Sequence, residues 1–289
     1  MLIFLLLAFS PQPDPAMLRR IFEDALARRE KQYGTLDART AQAARDLGMF
    51  LAREGDATAA RTALTEAVKV DEAVFGPTAS QTMADVAGLA AVSKGAEARA
   101  LWVRASEAAD AGVAVRALMT LGGSAANRPE AAGLYRKALA RQEASTGEGS
   151  EPVSVVLNEL ATVVDAKEGI ALLERALAID RGVLGPRHPQ TATTEVNLAG
   201  KLVNAGRWDE GLAAGADALA IFGETLGYEH PRCAVAASIL AYALEKKGEK
   251  ARAEKMYRMA VAIDEAAYGP KHPQTVADQK ALGEFLKRR

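Results

Sequence analysis

From residue 189 onward, apolar positions recur at the spacing of an α-helix and stop at glycines. Thr191 to Ala205 forms one such run, Gly206 ends it, and Trp208 to Leu226 forms another. Arg232 to Lys247, Gly248 and Lys250 to Tyr268 repeat the scheme. Each pair reads as two helices joined at a glycine, a residue for which a left-handed helix end is cheap. A short phrase marks the boundary between pairs: Gly185 to Pro189, Gly227 to Pro231 and Gly269 to Pro273, with 227 − 185 = 42 and 269 − 227 = 42. The same interval separates Gly34 and Gly76, and Gly34, Gly76, Gly185 and Gly269 are each followed by a threonine at Thr40, Thr82, Thr191 and Thr275. Proline at 189, 231 and 273 sits where a first helical residue has no amide partner to lose.

Carried along the chain, this register predicts a solitary helix at 17–33 and hairpins at 37–75, 79–111, 112–146, 151–184, 189–226 and 231–268. A last helix follows at 273–289. The fold class is therefore all-α: an α-solenoid of about six antiparallel hairpins with extra terminal helices, wound as a right-handed superhelix, since stacked units build one core from neighbour contacts. The middle units are shorter. Gly122-Gly123-Ser124 reads as the turn of one of them, because it lacks the lysine and preceding strand of a phosphate loop.

Composition narrows the picture. Aromatics make up only 5% of the chain, so the interior must be built from Ala, Leu and Val, which suits close helix packing. A net charge of −1 and no long run of one sign argue against a nucleic-acid partner, which needs a basic face. The single Cys233 excludes an intrachain disulfide framework. MLIFLLLAF at the start is too short to cross a hydrocarbon core of ~30 Å. Followed by the proline-rich Ser10 to Ala16, it is expected to be a signal peptide over 1–16, removed on export to the periplasm or the medium, although no Lys or Arg precedes it.

Little in the sequence suggests catalysis. His188, His230 and His272 sit one per repeat, separated by two helix packings of roughly 8–10 Å each, too far for imidazoles that must lie within about 2.1 Å of one zinc ion; each is expected to complete a turn before its helix. Cys233 stands at the threonine position of the neighbouring repeats and is read as structural. Trp102 and Trp208 fall on second helices and are expected to pack against the adjacent first helix. No metal or cofactor site is expected.

The small and large residues carry a resemblance. Leu240, Ala241, Leu244, Gly248, Ala253, Tyr257 and Ala260 follow the spacing of tetratricopeptide repeats, as do Leu47, Gly48, Leu51, Gly55, Ala60, Leu64 and Ala67, and Leu198, Ala199, Leu202, Gly206, Gly211 and Ala218. The 42-residue interval with its Gly-Pro-x-His-Pro turn resembles the long-helix subtype found in kinesin light chains. Gly215 departs from the pattern, which predicts a small gap there or a neighbour that fills it. The family's clamp for carboxy-terminal peptides has only isolated counterparts, Asn197 and Lys280.

The resemblance implies a non-enzymatic scaffold or adaptor that binds a peptide or partner protein in a concave groove lined by first helices. By register the groove residues are Arg45, Met49 and Arg53; Asn158 and Thr162; Val196, Asn197, Gly200 and Asn204; Ser238, Tyr242 and Glu245; and Lys280 and Glu284. Tyr242, as an exposed aromatic, is the expected anchor. The alternative is a regulatory or sensor module whose array binds a small molecule or peptide.

Overall fold

The computed structural model describes residues 14–288, and among these every regular element is a helix. The expected signal peptide falls almost wholly outside the described residues. The helices form two compact units, one reaching to Ser124 and one starting at Ala125. The first holds α1 (Pro15–Tyr33), α2 (Ala38–Arg53), α3 (Ala57–Phe75), α4 (Ser80–Val92), α5 (Gly95–Ala105) and α6 (Ala111–Gly123). The second holds α7 (Arg128–Thr146), α8 (Glu151–Val163), α9 (Ala166–Val183), α10 (Pro189–Asn204), α11 (Trp208–Leu226), α12 (Pro231–Lys246), α13 (Lys250–Tyr268) and α14 (Pro273–Arg288). Within each unit, helices pack mainly on their sequence neighbours. The helices of the expected hairpins 37–75, 79–111, 151–184, 189–226 and 231–268 pack pairwise, the shortened α5 included, whereas the two helices expected to form the hairpin 112–146 fall one in each unit, with Gly122-Gly123-Ser124 as a helix end.

The recurring turn has a chemical cause at each position. Nδ1 of His188, His230 and His272 accepts a hydrogen bond from the amide of Gln190, Arg232 and Gln274 respectively, at 3.1, 3.2 and 3.3 Å. The histidines thus serve as helix N-caps, the part that Asp37 plays ahead of α2. The threonine hydroxyls reach back to the glycine that closed the previous helix: Thr40 to Gly34 O, Thr82 to Gly76 O and Thr191 to Gly185 O, each at 2.8 Å. Cys233 makes the weaker thiol version of this bond to Gly227 O at 3.5 Å. Burial pushes that thiol above its ordinary range, away from a reactive thiolate.

The alternation of small and large residues is the packing itself. A Cβ added at Gly48 would lie 2.6 Å from Cγ of Leu64, so a side chain there would displace α3 from α2. At Gly215 the nearest atoms belong to Leu240, at 3.1 Å from such a Cβ, so a neighbour from α12 fills the anomalous position. Trp208 is half-buried edge-on to Tyr242 of α12, with ring centroids 6.4 Å apart. Trp102 packs on the cluster of Leu64, Val68, Val86 and Leu89.

A second periodicity is buried. One residue from a first helix meets the residue 26 positions on, in the second helix, and the residue 40 positions on, in the next first helix. In the first unit these are Arg45, Asp71 and Asp85, with Arg45 Nη2 donating to Asp71 Oδ2 at 2.8 Å and to Asp85 Oδ2 at 2.9 Å. In the second unit they are Ser154, Asp180 and Thr194, joined through both oxygens of the Asp180 carboxylate. Val196, Phe222 and Ala236 occupy the same register within one apolar cluster. Ser238, Asp264 and Asp278 occupy it last, with Ser238 Oγ on Asp278 Oδ1 at 3.1 Å. The backbone thus offers one node that is filled by an ion cluster, a hydroxyl network, hydrocarbon, or two facing carboxyls.

Candidate functional site

The expected groove residues divide on inspection of their partners. In the first unit, Met49 and Arg53 are exposed, whereas Arg45 is held by the buried Asp71 and Asp85. Burial and the neighbouring Asp85 raise the carboxyl of Asp71 to about 6 even with that arginine beside it. Arg45 is thus a structural ion-pair partner. Ser238 belongs to the last buried node. Glu245 accepts from the Tyr257 hydroxyl at 2.9 Å and from Arg288 at 3.0 Å, so it ties α12 to α13 and α14. Lys280 and Glu284 are exposed and face each other at 4.0 Å along α14.

The remaining residues come together. Asn158 and Thr162 on α8 and Val196, Asn197, Gly200 and Asn204 on α10 line one cavity of about 300 Å³ in the second unit. Arg128, Ala161, Leu173, Lys201 and Ile239 complete it. Sequence reasoning missed Arg128, Lys201 and Ile239. Ile239 stands beside the expected Ser238 and is the α12 residue that meets Gly200, its Cδ1 lying 3.6 Å from where a Cβ would be. Tyr242 is not in the lining. It is 39% exposed and shares its ring with Trp208 and the Lys246 ammonium, the latter 5.0 Å from the centroid.

A relay of hydrogen bonds fixes the groove from behind. Asp180, fully buried, accepts from Thr194 Oγ1 at 2.6 Å. Thr194 Oγ1 accepts from Asn158 Nδ2 at 2.8 Å, and Asn158 Oδ1 accepts from Asn197 Nδ2 at 2.9 Å. Donor and acceptor alternate along the line, so the amide orientations are dictated and Asn197 is presented in one pose. Lys201 extends over Gly169 and donates to Val164 O at 3.3 Å. Burial, and then the positive charge of Arg128, lower its pKa, with Asp165 opposing. The groove therefore holds rigid amides beside two cations, one of them partly desolvated.

Residues 196–266 match the tetratricopeptide repeat family model. A chain of the APC/C hetero-tetramer Cut9-Hcn1 is similar in structure, with TM-score 0.55 and 15% identity over 93% of this chain and 46% of that one. A Podosopora anserina protein described as a kinesin light chain of nearly identical TPR-like repeats aligns at TM-score 0.44 and 20% identity, over 78% of this chain and 95% of its own. BtubC from P. vanneervenii aligns at TM-score 0.46 and 19% identity, over 78% and 84%. Comparison with curated protein sequences returns no match. The family match runs from α10 into α13, where the small-large packing of successive hairpins is repeated, so residues 196–266 carry tetratricopeptide repeats.

Proposed function

We propose that the second unit is a protein-interaction scaffold whose groove between α8, α10 and α12 takes an extended, acidic segment of a partner. The observation that carries this reading is the hydrogen-bonded line from Asp180 to Asn197, which ends beside Lys201 and Arg128. Side-chain amides held in one pose offer a donor and an acceptor to a peptide backbone with little entropy left to lose. Two cations that raise each other's electrostatic cost are relieved when a carboxylate enters between them. Ile239 and Val196 supply the apolar floor on which a side chain of the segment rests. We also propose that the chain is exported, on the strength of its apolar leader.

The test is an array of acidic peptides and their Gln/Asn counterparts, probed with the full chain. Acidic peptides should bind preferentially, and Lys201→Met should weaken them by about tenfold, the loss of one charge-assisted contact. Asn197→Ala should weaken acidic and neutral peptides alike. Equal binding by the wild type and both variants would place the docking surface elsewhere.

A further inference from the structure

A second cavity in the same unit, of about 530 Å³, lies where the turn between α9 and α10 meets α11, and it shares no lining residue with the groove. Its walls include Arg181, Arg187, Glu195, Asp217 and Ile221. Glu195, next to the groove residue Val196, is only 2% exposed. Its Oε1 accepts from Arg181 Nη2 at 2.9 Å, while its Oε2 is buried without any hydrogen-bond donor. Asp217 on α11 is exposed and has no ion-pair partner among the described residues. Arg187 is engaged by Glu224. Two arginines therefore face three carboxylates, and one negative charge is left over.

A buried carboxylate oxygen with no donor is unfavourable, and a second carboxylate across the same space makes it more so. Burial raises the carboxyl of Glu195 above the usual carboxylate range, Arg181 draws it back, and Asp217 adds to the rise. Nothing on α9, α10 or α11 supplies the missing donor. Glu195 on α10 and Asp217 on α11 both line the cavity, and a guanidinium, with five donors in a planar fork, can serve two carboxylates at once where an ammonium acts as a point charge.

We propose that this cavity binds the guanidinium of a partner's arginine side chain, with the carboxylates of Glu195 and Asp217 as acceptors. The proposal is independent of the groove. It is tested with the full chain, labelled at isoleucine methyls, titrated at pH 7.5 with N-acetyl-arginine amide, with N-acetyl-lysine amide and N-acetyl-norleucine amide as comparisons. The Ile221 methyl, assigned through Ile221→Val, should shift and saturate with the arginine probe and not with norleucine. Asp217→Asn should weaken that binding by about fivefold or more, on the scale of one charge pair, and Glu195→Gln should do at least as much. Asn197→Ala should leave it unchanged, which separates failure here from failure of the groove. Because Asp217 is exposed, its variant stays informative even if Glu195→Gln folds poorly. A methyl shift that never saturates, that norleucine or lysine reproduces equally, or that Asp217→Asn leaves intact would overturn the assignment.

Discussion

The last buried node makes the second unit sensitive to pH in a way that a single substitution should abolish. Asp264 on α13 and Asp278 on α14 are 1% and 7% exposed, and each has an oxygen with no donor when both are counted as carboxylates. Where the first unit places Arg45, this node has the neutral Ser238. The pair is satisfied when one proton is shared between the two carboxyls. Burial and Asp278 accordingly raise Asp264 to about 6, against an opposing charge at His272. The folded carboxyl holds its proton more tightly than the unfolded one, so the stabilising contribution is fully present below about pH 3.8 and is lost as pH rises through about 6. The gap between 3.8 and about 6, at about 1.4 kcal/mol per pH unit of difference, amounts to about 3 kcal/mol. Asp264→Asn keeps a donor toward Asp278 and carries no charge. Its stability relative to the wild type should therefore grow by up to about 3 kcal/mol between pH 4 and pH 7.5. The assay is urea unfolding followed by fluorescence in a Trp102→Phe background, which leaves Trp208 as the sole indole and so reports the second unit. The contribution of Asp71 is common to both proteins and cancels. A stability difference that stays flat across that range would refute the shared proton.

Arg45→Leu should cost about 3–5 kcal/mol at pH 8, the usual penalty for stranding buried charges, and less at pH 5, where Asp71 and Asp85 share a proton instead; urea unfolding followed by Trp102 fluorescence at the two pH values checks this, and an equal loss at both would contradict the ionic account. Terminal sequencing of protein from the native host should find a new amino terminus near Ser10 to Ala16, and an intact Met1 in a cytoplasmic fraction would rule export out.

The sequence by itself determined the elements and their order. Glycines and prolines at 42-residue intervals mark helix ends because few other residues tolerate those backbone positions, and small residues such as Gly48 mark helix contacts because nothing larger fits. Such constraints act within one hairpin and its neighbour, so they are legible in spacing alone. Six groove residues, Asn158 to Asn204, were legible for the same reason, as positions on one side of successive first helices in register. Only the tertiary structure decided which polar side chains were free to act. Arg45 and Ser238 stand among the expected groove positions, yet each is turned toward a carboxylate 40 residues away. Arg128 and Lys201 enter the groove from α7 and from the flank of α10, through long side chains whose direction no periodicity fixes. The repeat fixes which backbone positions meet, 26 and 40 residues on, but the side chains at each node change from one repeat to the next, so whether a polar residue there is engaged depends on the partners packed against it.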